Sequence, residues 1–210
     1  MEEFVVLKTS PIAASLEALH PEIMTLAGSS LHTQGMRVRI TVTPHWGLRA
    51  MIVRADRGIE RVRPVAPGQN QYYMAYDKSD EPKSPLEGTL QARFETPLDL
   101  SQLKEESNPR FSPGGPTPEG GELLEGAVVL KKYKFACACT GEFSQSLGGN
   151  KDFIFQKVTA IVNDLNEIYE RDINVRLELI PESYDIIFLD PATDPYPGND
   201  VIGWMNANPS

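Results

Sequence analysis

Residues 97–121, PLDLSQLKEESNPRFSPGGPTPEGG, carry five prolines and four glycines with little apolar periodicity. Proline lacks a backbone N–H and fixes φ, while glycine leaves the backbone unrestrained, so neither a helix nor a sheet propagates through such a run. The stretch reads as an exposed linker with structured chain on either side. The organisation expected from it is a β-rich module over residues 1–96, a Pro/Gly-rich linker over 97–126 and an α/β segment over 127–210.

Upstream of the linker the hydrophobic period is two. MRVRITVTP alternates Val38, Ile40 and Val42 with Arg37, Arg39 and Thr41, a pattern that predicts antiparallel β structure with one solvated face. GLRAMIVRADRG and QYYMAYDKS follow at hairpin distances, with ADRG and APGQN supplying turn residues. SPIAASLEAL predicts a short helix with Ser10 as its cap and Pro11 at its first position.

Downstream the signal changes to strand, helix, strand. LKKYKFACA places Tyr133, Phe135, Cys137 and Cys139 on one strand face, and TGEFSQSLGGN reads as a connecting loop whose Asn150 caps the next segment. In that segment Ile154, Val158, Ile161, Val162, Leu165, Ile168 and Tyr169 fall at steps of three and four, one buried stripe of an amphipathic helix. INVRLELIP then alternates again, and YDIIFLDP is a continuous apolar run suited to a strand covered on both faces. The expected fold class is α+β: a β-rich antiparallel N-terminal module followed by an incomplete α/β subdomain of strand, helix, strand and strand. So short a unit leaves a sheet edge uncovered, and the chain is therefore expected to be a fragment.

Charge excludes some partners. Twenty basic residues against 29 acidic ones give a net charge of -9, and no window carries the basic stripe that a phosphate backbone requires, so nucleic acid is not expected as a partner. The longest apolar runs fall far short of the roughly 20 residues of a membrane span, and MEEFVV has neither the basic start nor the apolar stretch of a signal peptide. From its own residues the chain reads as soluble and untargeted. Its two cysteines cannot form a disulfide framework.

Those cysteines, Cys137 and Cys139, are the first chemical candidate. Thiolate metal sites need three or four ligands, and the three histidines lie far upstream at 20, 32 and 45. Alternate strand residues stand about 6.5 Å apart at Cα, near the upper limit for a disulfide. The preferred reading is two buried apolar cysteines, at least one of them open to pairing with a partner absent from this chain, with a metal site or a redox role as alternatives. Asp190, Asp194, Asn199 and Asp200 in LDPATDPYPGND offer hard oxygen ligands for calcium, although their spacing is not that of an EF-hand and they equally suit turns that bond to their own backbone. Glu170 to Asp172, ERD, reads as a solvated helix end rather than an acid/base pair. His45 and Trp46 read as a hairpin turn with a half-buried indole rather than a ligand-binding loop. There is no G-x-S-x-G elbow and no P-loop, so no catalytic residue is assigned.

Three further motifs carry a resemblance. ACTGEF on the first downstream strand, NEIYERD at the helix end and IIFLDPATDPY after the second strand resemble the opening of the catalytic domain of secreted bacterial reprolysin-like zinc metallopeptidases, a branch of the metzincins. The upstream half, from FVVLKTSPIAASLEALHPEIMTLAG to QNQYYMAYDKSD, resembles the prodomain that precedes such domains. The resemblance implies a zinc-dependent, secreted parent that hydrolyses peptide bonds, with protein or peptide substrates and the remainder of its own catalytic domain as partners. Family members bind zinc through H-E-x-x-H-x-x-G-x-x-H, which this sequence does not contain. No zinc is therefore expected in this chain, and it is expected to be inactive alone. Cys139 aligns with the cysteine of ACTGEF, whereas Cys137 is peculiar to this sequence, and both follow the linker, where a prodomain cysteine switch would not lie. A second reading, from a different class, is an extracellular β-rich binding module carrying a non-catalytic α/β remnant.

Overall fold

A computed structural model describes residues 2–80 and 130–196, together with Gly203 and Ala207. The linker expected at 97–126 lies outside the described residues. Residues 2–80 and 130–194 belong to one compact unit, and Pro195, Tyr196, Gly203 and Ala207 fall in a second.

The N-terminal part is a six-stranded antiparallel meander, with each strand beside its neighbour in sequence. The strands are β1 (Phe4–Thr9), β2 (Met24–Ser30), β3 (Arg37–Thr43), β4 (Gly47–Val53), β5 (Ile59–Pro64) and β6 (Tyr73–Asp77). The register aligns Ala27 with Arg39, Arg39 with Met51 and Met51 with Arg61, so these four residues point to one face. A short helix, α1 (Ala14–Leu19), interrupts β1 and β2. Its cap is Ala13, with no side-chain hydrogen bond, rather than Ser10. The reason is that Pro11 to Ala13 are engaged elsewhere, with Leu179 N–H donating to Pro11 O at 2.7 Å and Ala13 N–H donating to Leu179 O at 2.9 Å. Ser10 turns onto Ile12, its Oγ 3.1 Å from the Ile12 carbonyl.

The C-terminal part pairs β7 (Lys131–Phe135) with β8 (Val175–Leu179) in parallel, Tyr133 opposite Leu177. The long helix α3 (Lys151–Ile173) connects them. Asn150 caps it as the sequence predicts, its Oδ1 accepting from Phe153 N–H at 3.1 Å. Asn174 ends it in the left-handed conformation at φ 55°. Two sequence expectations change here. The segment read as a loop contains a helix, α2 (Gly141–Ser146), because Thr140 Oγ1 accepts from Phe143 N–H and caps it. The apolar run YDIIFLDP forms a 3-10 turn at Pro181–Tyr184 and a single parallel bridge between Ile187 and Cys139 in place of a full strand. The Tyr184 ring packs on His20 and Phe155, which draws this segment out of the sheet.

Core residues come from both sides of the linker. Ile12, Leu16 and Ile23 are buried with Ile154, Phe155, Val158 and Val162 of α3, and with Leu179 and Ile187. Each such side chain contributes roughly 1.5–3 kcal/mol on burial, so the three N-terminal residues together carry a large share of a net stability of about 5–15 kcal/mol.

The outer edge of β8 is closed without a further strand. Leu179 pairs with Pro11 and Ala13, and two residues away the buried Asn166 amide takes the place of a strand, its Nδ2 donating to Leu177 O at 2.9 Å and its Oδ1 accepting from Leu177 N–H at 2.7 Å. Asn166→Leu removes both bonds while keeping the branch at Cγ. It should cost about 2 kcal/mol in urea unfolding, and an unchanged midpoint would show that this edge is held otherwise.

Candidate functional site

The face of β3 expected to be solvated is covered. Arg39, Thr41 and Thr43 are 1%, 3% and 4% exposed, because α3 lies across them. Alternation shows that two faces differ; which one is covered depends on the partner, and α3 presents a polar stripe of its own. Asn163 Nδ2 donates to Ile40 O at 3.1 Å and to Thr41 Oγ1 at 3.0 Å. Arg39 Nε donates to Glu167 Oε2 at 2.9 Å and its Nη2 to Glu170 Oε2 at 2.6 Å, while Arg37 Nε stands 2.7 Å from Glu167 Oε1. Arg176 Nε closes the group on Glu170 Oε1 at 2.6 Å. Burial alone would raise Glu170, but hydrogen bonds from Arg176 and Arg39 outweigh it and hold the carboxyl below its ordinary range.

The β3–β4 hairpin clasps the start of the same helix. His45 stacks on Phe153 with ring centres 3.6 Å apart, and Trp46 Nε1–H donates to the Phe153 carbonyl at 2.6 Å. The half-buried turn tryptophan expected from the sequence is therefore a contact on α3. At the helix end, Glu170 faces inward to Arg39 and Arg176, whereas Arg171 and Asp172 pair with one another at 2.8 Å.

Two of the three motifs that carried the resemblance, ACTGEF and IIFLDPATDPY, meet at one joint. Gly141, the first residue of α2, lies against the 190–194 loop so closely that a Cβ there would stand 2.1 Å from Pro191 N and 2.3 Å from the Asp190 carbonyl carbon. Asp194 Oδ2 accepts from Gly141 N–H at 2.7 Å. Asp190 forms a local turn, its Oδ1 accepting from Ala192 N–H at 2.9 Å. Asn199 and Asp200, the other two calcium candidates, lie outside the described residues. Cys139 is buried in the core and Cys137 half-buried beside it, both with free thiols. The hydrogen bond between them lowers Cys137 and, with burial, raises Cys139. Beyond Phe135 these cysteines leave the β7 ladder, and only Cys139 bridges, through Ile187.

The described residues do not fit a zinc ion. Among them no three His, Cys, Asp or Glu side chains converge on a point that could hold a metal. His20 packs on Phe155, His45 stacks on Phe153 and His32 faces Glu3 at 3.5 Å, in three separate places. The residues the sequence reading missed are Arg39, Glu167 and the role of Gly141, all of which act by holding segments together.

A parallel strand–helix–strand unit, with a third segment joined by one bridge and a polar sheet across the helix, is the class the geometry defines. Residues 129–208 match the family model described as Metallo-peptidase family M12B Reprolysin-like, so this segment is similar to reprolysin-like metallopeptidases. Comparisons with curated proteins and with solved structures returned no match. Among the described residues no helix is long and apolar enough to cross a membrane.

Proposed function

We propose that residues 127–210 are the opening of the catalytic domain of a secreted, zinc-dependent endopeptidase, and that residues 1–96 are its prodomain-like partner. In this reading the N-terminal sheet holds the long helix and the β8 edge in place, and the zinc ligands come from sequence that these 210 residues do not include. The parent hydrolyses peptide bonds in protein substrates, and this chain alone is inactive. The observation that carries the reading is the family match over residues 129–208, within which Gly141, Asn166 and Asp194 of the matching motifs all hold structural joints.

The coding sequence after Ser210 tests it. An H-E-x-x-H motif downstream supports the proposal, and a stop codon there with no such motif refutes it. Residues 1–210, purified alone, should bind no stoichiometric zinc and should leave casein intact. Tight zinc binding in metal analysis, lost on Cys137→Ser with Cys139→Ser, would overturn the assignment of the cysteines to the core.

A further inference from the structure

A cavity of about 220 Å³ opens between β4, β5 and α3. Its floor includes Met51, 1% exposed, and its mouth includes Ile161, 42% exposed. Arg49, Arg61, Lys78 and Lys157 line it against one acidic side chain among the described residues, Asp164. Asp164 is already engaged, since Arg61 Nη1 donates to its Oδ2 at 3.0 Å. Among the described residues neither Arg49 nor Lys157 has a carboxylate within ion-pair range, and Lys157 is left over the Trp46 ring at 5.3 Å. Four cationic side chains thus stand around the single carboxylate of Asp164 in a hollow whose remaining wall is apolar, an excess of positive charge that low-dielectric surroundings penalise until a further negative charge enters.

We propose that this cavity binds a small organic carboxylate, its charged end between Arg49 and Lys157 and its apolar body along Met51 towards the mouth at Ile161. Three features support it together. The charge imbalance selects an anion, the apolar wall selects a ligand with a hydrocarbon body over an inorganic ion, and the volume limits that body to a short chain or a single ring. The cations are poised for it, because burial lowers Arg49 and, with repulsion from Arg49 and Arg63 that Asp164 only partly offsets, brings Lys157 down to about 8. The site is independent of the proposed peptidase function, since no residue in it belongs to the joint at Gly141.

Isothermal titration of the full chain with sodium hexanoate, at constant ionic strength, should give saturable binding at one site, whereas hexanol should give none. Lys157→Met should weaken hexanoate about tenfold, the equivalent of one charge-assisted hydrogen bond. Ile161→Trp, a change at an exposed position that fills the mouth, should abolish binding while leaving the unfolding midpoint unchanged. Absence of hexanoate binding, equal affinity in the Ile161→Trp chain, or inorganic phosphate binding as tightly as hexanoate would each overturn the assignment.

Discussion

Arg39→Met is expected to lower the unfolding free energy of the chain by about 3–5 kcal/mol, read from urea unfolding by circular dichroism. The guanidinium is 1% exposed and joins two carboxylates of α3, Glu167 and Glu170. Its removal leaves Glu167, itself fully buried, with Arg37 as the one cation within ion-pair distance among the described residues. The cost comes mainly from that uncompensated carboxylate rather than from the lost attraction, because a buried ion pair gains little over an apolar pair of similar volume. Arg39→Met combined with Glu167→Leu should therefore recover much of the loss. A single-mutant cost below 1 kcal/mol would mean that the sheet does not rest on α3 in solution.

Gly141→Ala is the second large effect, at about 3 kcal/mol, the upper end of what overpacking usually costs. Here the added methyl group meets backbone, Pro191 N at 2.1 Å and the Asp190 carbonyl carbon at 2.3 Å, so no side-chain rotation relieves it. The 190–194 loop must move away, and the hydrogen bond from Gly141 N–H to Asp194 is lost with it. Thermal unfolding should show a lowered midpoint, and proteolysis should find new cleavage at 190–194 in the variant only. Asp194→Asn tests the same joint more gently and should cost about 1 kcal/mol. If Gly141→Ala unfolds at the wild-type midpoint, the two motifs are not in contact.

Much of the architecture was legible in local pattern. The period-two alternation around Val38 to Val42 marks β3, the three- and four-residue steps from Ile154 to Tyr169 mark α3, and Asn150 announces its start. The misread features share one physical origin, that a side chain's environment is set by partners distant in sequence. Arg39 and Thr41 looked solvent-facing because their partners Glu167, Glu170 and Asn163 stand more than a hundred residues away. A signal was present: Gln156, Thr159, Asn163, Asn166 and Glu170 also recur at steps of three and four, a second stripe beside the apolar one, and all but Glu170 are nearly inaccessible. The same two-sided burial leaves Ile161 and Tyr169, both placed in the apolar stripe, at 42% and 36% exposure. The Asn166 clamp on Leu177 and the Gly141 joint depend on close approaches that no spacing rule expresses, so their residues stood out only through resemblance.

Residues 2–80 and 130–194 build one folded unit with a common core and a polar seam, so that the N-terminal sheet is needed by the helix it covers. Limited proteolysis followed by gel filtration under native conditions tests it most directly. The first nick should fall within the Pro/Gly-rich residues 97–121, and the two resulting pieces should co-elute as one species of unchanged size and helicity, separating only in denaturant. Separation of the pieces in native buffer, or a first cleavage inside residues 151–173, would contradict it.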